Sequence, residues 1–361
     1  MARLLTCGFE TGDVNEAGAS VIGANYSLAA VNTNPTPRTG GAYCLKLGVT
    51  TGTSMSTTYK SFSLGALKTD VWVRFAFQAH GVLSGASTEL AICTLLDNAT
   101  TVQVAISWSA QDNLLRAYRG TVASGTLLGA SSASLASDVW RLIEVRWQAT
   151  STTVGIVEVW LDGNRVINFS GDTTSSTVVG LQTVYLGCSN SVTGASTTAT
   201  WLAFDDIAIN DTTGTANNGR PQDGRILLLS PTGAGSSTQF TRGGTDTGAN
   251  WSQTSEVPPS MTQYVLSATV ADRDLYAAAD LPVAVSGINV VEELLLVQNS
   301  DAGAGSIGPT IRSGATTSEL GPISLTNTVT YVTGRWETDP NTSAAWTAAA
   351  VNALEIGATV R

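Results

Sequence analysis

One histidine, His80, is all the imidazole in this 361-residue chain. Four cysteines, Cys7, Cys44, Cys93 and Cys188, lie far apart with no CxxC pair. Together these exclude a zinc site of ordinary ligand spacing. The expectation is four buried thiols in a reducing compartment rather than disulfides. Charged residues are only 13% of the chain and hydrophobic ones 43%, which excludes disorder driven by charge and low hydropathy. No run nears the ~18 apolar residues of a membrane-spanning helix. The opening MARLLTCGFETGD has too short an apolar core for a secretory signal and turns acidic at once, so synthesis and retention in a cytoplasm are expected. Basic clusters are missing as well. Up to residue 215 there are 11 Lys+Arg against 15 Asp+Glu, and beyond it 7 against 13, all seven being arginine. The halves carry −4 and −6 of a net −10. Neither offers the basic footprint nucleic acid requires.

What is present is β-structure. VWVRFAFQAH (71–80) alternates, with Val71, Val73, Phe75 and Phe77 on one face. Trp72, Arg74, Ala76, Gln78 and His80 take the other. TVQVAISW (101–108) and WRLIEVRW (140–147) alternate in the same way, the latter setting Ile143, Val145 and Trp147 against Glu144 and Arg146. VGIVEVWLDGNRVINF (154–169) reads as a hairpin, because Asp162-Gly163-Asn164 tolerates positive φ. TVYLGCS (183–189) and TWLAFDDIAIN (200–210) follow. DTTGTANNGRPQDG (211–224) then has no apolar side chain larger than alanine and reads as a linker.

Beyond it come RILLL (225–229), a polar glycine-rich loop over about 230–260 holding Trp251, and further strands. Ile288 to Val297 is the most apolar of these and is expected in the middle of a sheet. Near the end, WETDPNTSAAWTAAAVNALEIG carries a helix signal over 342–355. Thr342 is the candidate N-cap, Trp346, Ala349, Ala350, Ala353 and Leu354 form an apolar stripe, and Gly357 suits the C′ position. Such a helix is expected to cover an end or edge of the second sandwich.

The opening LLTCGFETGD and the order WRLIEVRW, VEVWLDGNRV, FDDIAI resemble the concanavalin A-like (laminin G-like) jelly roll. The resemblance implies that residues 4–9 pair beside 201–209. The expected fold is all-β. A concanavalin A-like jelly-roll sandwich covers 1–212 and a linker 213–224. A second β-sandwich domain covers 225–361 and carries one short helix. Three later stretches, SEVPPSMTQYVLSATVADRDLYAAADLP, INVVEELLLVQNSDAGAGSIGPTIRSG and WETDPNTSAAWTAAAVNALEIG, resemble the C-terminal region of virion structural proteins of tailed bacteriophages.

That resemblance implies a non-enzymatic structural subunit of a phage particle, tail- or head-associated, with a decoration or adhesion role. Its partners would be other virion proteins, it would be homo-oligomeric, and it would reside in the virion after assembly in the host cytoplasm. Catalysis is not expected. The Glu-x-Asp-x-Glu strand motif of jelly-roll glycan hydrolases is absent, and so are G-x-S-x-G, the Walker loop and G-x-G-x-x-G in a strand–turn–helix setting. Two alternatives stand beside the structural subunit. One is a carbohydrate-binding adhesin or receptor-binding protein for a host surface glycan, and the other, further off, is a glycan hydrolase.

For a glycan, the more polar faces of three strands supply a candidate surface: Trp72, Arg74 and Gln78 from the first, Glu144 and Arg146 from the second, Glu158 and Trp160 from the third. Aromatic faces stack on sugars and planar polar groups bind hydroxyls. The same seven residues also suit second-layer packing with cross-strand ion pairs. Asp205 and Asp206 are a candidate calcium pair, although alternation sends them to opposite faces unless a bulge intervenes. No other cofactor is expected.

Overall fold

A computed structural model describes residues 2–18, 20–49, 57–81, 89–150, 154–190, 200–245, 247–301 and 303–361. The chain forms two compact units, Met1–Glu10 with Ala19–Ile226, and Thr11–Gly18 with Leu227–Arg361. Residues 213–224, expected as a linker, belong to the first unit.

In chain order the first unit holds β1 (Arg3–Cys7), β2 (Ser20–Ile22), β3 (Tyr26–Ala30), β4 (Tyr43–Val49), β5 (Thr58–Lys68), β6 (Asp70–His80), β7 (Glu89–Leu96) and β8 (Val102–Ser109). It continues with β9 (Leu115–Arg119), β10 (Thr126–Ala130), β11 (Arg141–Gln148), β12 (Gly155–Leu161), β13 (Asn164–Gly171), β14 (Leu181–Cys188) and β15 (Thr200–Asp211). One sheet runs β13-β12-β11-β6-β15-β4-β3, with β1 also on β15, and the other runs β10-β9-β8-β7-β14-β5-β2. All pairings are antiparallel, and the two sheets make a jelly-roll β-sandwich. β1 pairs Cys7 with Ile207 and Arg3 with Asn210, as the jelly-roll resemblance implies.

Period-two alternation decides which side of each strand is buried. Val71, Val73, Phe75 and Phe77 of β6 are fully buried between the sheets, with Ile143, Val145 and Trp147 of β11. Phe77 meets Phe204 of β15 at 5.4 Å and Trp108 of β8 at 6.2 Å between ring centroids, so aromatic edges join the two sheets. All four cysteines are buried. The outer face of the first sheet therefore carries Trp72, Arg74, Gln78 and their neighbours.

The second unit begins with a short 3-10 turn, Glu16–Gly18. Its strands are β16 (Pro231–Thr238), β17 (Thr241–Gly244), β18 (Gln263–Leu266), β19 (Arg273–Ala278), β20 (Val291–Val297), β21 (Gly305–Ser313), β22 (Thr316–Glu319), β23 (Ile323–Leu325), β24 (Thr330–Trp336) and β25 (Glu355–Val360). The main sheet is β16-β19-β25-β21-β22 with β23 on β21, beside the pairs β17-β18 and β20-β24. Three expectations are corrected. Leu227–Leu229 form no strand; the polar stretch after them does, because β16 hydrogen-bonds along β19 as an edge. The Ile288–Val297 run yields β20, which pairs with β24 alone rather than crossing the sheet centre.

The helix is shorter than expected. α1 spans Ala348–Asn352, and its N-cap is Thr347, which accepts from the Ala350 N–H at 3.1 Å. Thr342 instead donates to Asp339 Oδ2 at 3.0 Å, and Asp339 Oδ1 accepts from the Asn341 N–H. This aspartate-centred turn, with Ser343 at positive φ, holds 341–343 out of the helix. Gly357 is no C-cap. It lies in β25, where an added Cβ would sit 2.0 Å from the Asp274 carbonyl oxygen. Trp346, Val351 and Leu354 pack with Ile311 and Trp336, so the helix fills core rather than covering an edge.

Candidate functional site

The antiparallel registers bring six of the seven expected face residues together. Arg74 sits opposite Glu144, which sits opposite Trp160; Trp72 sits opposite Arg146, which sits opposite Glu158. Gln78 lies toward the other end of β6, opposite Ala203.

The six do not form an open surface. Residues 213–224 run over the Arg74–Glu144–Trp160 row without regular structure. The Gln222 N–H donates to Glu144 Oε1 at 2.6 Å, and Arg74 donates to the Gln222 carbonyl at 3.2 Å. Arg220 lies over the Trp160 ring at 4.1 Å. The Asn210 amide fastens the same segment through the Gly219 carbonyl at 2.8 Å. Burial pushes the Glu144 carboxyl up from its ordinary value, opposed by Arg220, and pulls the Arg74 guanidinium down. In the second row, Arg146 covers Trp72 at 5.6 Å and pairs with Asp70 at 2.9 Å, while Arg165 pairs with Glu158 at 2.6 Å. These are the cross-strand ion pairs and the second-layer packing that the alternation also suited.

Asp206 meets a cation, the Arg38 guanidinium, and Asp205 meets the Arg38 main-chain amide. A bulge between Asp205 and Ala208, with Asp206 at φ 50°, breaks the alternation. Asp205 Oδ2 accepts from the Arg38 N–H at 3.1 Å, and Asp206 Oδ2 accepts from the Arg38 guanidinium at 2.8 Å. The remaining oxygens accept from the Asp206 and Ile226 N–H groups, both at 2.7 Å. All four carboxylate oxygens are thereby engaged. Among the described residues no group of three or more His, Cys, Asp or Glu is placed to hold a metal ion. Burial, and then the neighbouring Asp206, raise the Asp205 carboxyl well above its ordinary value.

Beside this cluster the outer face is open. A cleft of about 510 Å³ has Gln78 on its sheet side, with Asn34, Thr36 and Arg38 from one loop and Trp140 and Asp138 from another. Both loops are pinned. Lys46 donates to the Asn34 carbonyl at 2.8 Å, Trp140 Nε1 donates to the Thr36 carbonyl at 2.9 Å, and the Asp138 N–H donates to the Ala79 carbonyl at 2.9 Å. Gln78 is 8% exposed, and its Oε1 has no hydrogen-bond partner. Buried acceptors are normally satisfied, so this shielded oxygen is an exception beside the cleft that Gln78 lines.

Asp138, which lines the cleft, has its Oδ1 2.7 Å from His80 Nδ1. An ionised carboxylate only accepts, so Nδ1 carries a proton in this contact. The ring also stacks on Trp201, 5.2 Å away and tilted by 10°. An imidazole oriented by a carboxylate and fixed by an aromatic ring is the arrangement of a general base. Sequence reasoning found His80 without its partner. Arg38, Asp138 and Trp140 were missed as cleft residues because they are brought in by loops, which carry no periodic signal.

No family model matches the chain, and no curated protein does. Solved structures do. A glucuronan lyase from the fungus Trichoderma reesei is 16% identical with a TM-score of 0.44, covering 61% of this chain and 100% of its own. A marine alginate lyase from Aplysia kurodai is 10% identical with a TM-score of 0.42, covering 58% and 99%. A carbohydrate esterase from the Shiga toxin-encoding bacteriophage phi24B is 14% identical with a TM-score of 0.40, covering 58% and 97%. At these scores they assign no reaction and no residue to this chain.

The expectation of a non-enzymatic structural subunit is withdrawn, since it finds no counterpart among them: the proteins resembled are named as lyases and a carbohydrate esterase. The absence of paired carboxylates had excluded only hydrolysis of the two-carboxylate kind. It left elimination, which an oriented imidazole can serve, untouched.

Proposed function

We propose that the first unit is a glycan-recognising jelly roll whose ligand occupies the cleft between the 34–39 loop and Trp140. The observation that carries this is the cleft itself, which sets the indole of Trp140 beside the polar side chains of Asn34, Thr36 and Gln78. A pyranose offers what such a cleft takes: an apolar C–H face for the indole and hydroxyls for the polar side chains around it. The test is a bacterial surface-glycan array probed with the wild type, Trp140→Ala and Gln78→Ala. Specific signals lost in both variants support the reading. No signal above background from the wild type, or signals indifferent to both variants, end it.

A second reading, glycan processing, is favoured by the pairing of His80 with Asp138, which lines the same cleft. Incubation with the polysaccharide that binds, followed by size analysis and release of acyl groups, tests it. Product formed by the wild type and abolished in His80→Ala supports it; unchanged polymer with its acyl groups retained rejects it.

The likeness of 225–361 to virion proteins of tailed phages supports a phage particle as the setting, a host surface polysaccharide as the partner and more than one copy per assembly. Peptides of this chain in purified particles, and the mass of the purified protein in solution, test those points.

A further inference from the structure

Arg220 takes the position on Trp160 that a sugar ring takes on a stacking platform. Its guanidinium carbon is 4.1 Å from the indole centroid, and its NH1 is 3.5 Å from Glu144 Oε2. That approach is an ion pair without a hydrogen bond. Beneath the segment, Trp160 Nε1 and Glu144 Oε2 are shielded from solvent and lack hydrogen-bond partners. Side by side they offer one donor and one acceptor next to a flat aromatic face. A hydroxylated ring satisfies all three at once: a hydroxyl oxygen for the N–H, a hydroxyl hydrogen for the carboxylate, and a C–H face for the indole. The segment supplies the stacking, the ion pair and a bond to Glu144 Oε1, but no hydrogen bond to Trp160 Nε1 or Glu144 Oε2. Its far end also reaches the open cleft, where Asp223 accepts from Arg38 at 3.1 Å and Arg225 lines the wall.

We propose that Trp160 and Glu144 form a second saccharide subsite on the same sheet face as the cleft, and that residues 219–222 are a strap occupying it. The proposal rests on the glycan reading of the cleft. The carboxylate of Glu144 selects a neutral sugar here, because a uronate or sulfated residue would place like charges together in a partly buried site. A short saccharide is held by the cleft with the strap in place. A longer one reaches Trp160 only by displacing Arg220, so the strap makes affinity depend on chain length.

The probes are neutral oligosaccharides of two and six hexose units from the cello, malto and laminari series, titrated against the full chain. Arg220→Ala is expected to raise affinity for the six-unit member of a bound series about tenfold and to leave the two-unit member unchanged. Adding Trp160→Ala is expected to abolish that gain. An equal change at both lengths, or a gain that survives Trp160→Ala, overturns the subsite. Trp140→Ala separates this proposal from the cleft reading. Binding lost in Trp140→Ala with no length-dependent gain in Arg220→Ala sinks the strap and spares the cleft. A length-dependent gain indifferent to Trp140→Ala sinks the cleft and spares the subsite. Absence of binding at either length by both proteins sinks both.

A readout without ligand completes the test. In protein labelled with 5-fluorotryptophan, the Trp160 signal is identified by its loss in Trp160→Phe. Its solvent isotope shift should grow in Arg220→Ala, and an unchanged shift overturns the strap.

Discussion

His80 lies nearly parallel to Trp201, with 5.2 Å between ring centroids, while its Nδ1 faces Asp138 Oδ1 at 2.7 Å. One neighbour fixes the plane of the imidazole and the other fixes its tautomer. Because the chain holds a single histidine, nitrogen NMR reads this site without assignment. Asp138→Ala should convert the spectrum from the Nδ1–H form to a mixture of tautomers. A spectrum identical to the wild type would show that the carboxylate does not set the proton.

Trp201 is 3% exposed, and truncating a buried tryptophan costs about 3–5 kcal/mol. Trp201→Ala should therefore lower the stability of the first unit by that order in a urea melt and broaden the His80 ring signals. Trp201→Phe should retain most of both.

Arg38 joins Asp206 at 2.8 Å, with side-chain exposures of 9% and 3%. Removing one partner of a buried pair costs about 3–5 kcal/mol, because the other charge is left uncompensated. Asp206 keeps Arg225 at 3.6 Å, so Arg38→Ala should lose about the lower end of that range at neutral pH and less in acid. Denaturation at pH 7 and pH 4 checks it, and an equal loss at both pH values would contradict it.

Glu293 is fully buried. Its Oε2 accepts from the Thr310 N–H at 2.9 Å, its Oε1 has no partner, and burial raises its carboxyl well above the ordinary value. A carboxyl raised on folding takes up a proton as the chain folds. Its stabilising contribution is complete below the unfolded value of about 4.3 and is lost as pH rises toward the folded value. Glu293→Gln mimics the protonated form, so it should flatten the fall in second-unit stability above about pH 4.3. A pH profile parallel to the wild type would refute this.

Trp346 is 4% exposed and donates to the Trp336 carbonyl at 2.8 Å. Trp346→Ala should cost the second unit about 3–5 kcal/mol and leave the melting of the first unit in place. Loss of both transitions together would show that the units do not unfold independently.

Much of the fold was legible because alternation and registry are local. Val71, Val73, Phe75 and Phe77 announce their face, and Asp162-Gly163-Asn164 announces its hairpin. The second unit was less legible: β16 is an edge strand with no apolar face to reveal it, and α1 begins five residues later than the capping pattern suggested because Asp339 captures Thr342. At the candidate site, alternation put Trp72, Arg74 and Trp160 on one side, and the structure agrees. What covers them was hidden, since Arg220 is 60 positions from Trp160 and belongs to a stretch whose composition reads as a spacer. The Asp205–Asp206 bulge was invisible for the same reason that it matters: only three-dimensional placement turns both carboxylates to Arg38.

Residues 11–18 belong to the second unit although the first unit holds the residues on both sides. Within the second unit, Tyr331 donates to Asp13 Oδ2 at 3.0 Å, across 318 positions of sequence. At the level of the gene, then, the second unit is not a cassette that a single crossover after codon 226 can exchange. A swap there would leave eight residues of the old unit facing an unrelated partner. Grafting it onto another jelly roll requires two coordinated edits, and a recombinant library built with only the downstream junction should return insoluble chains.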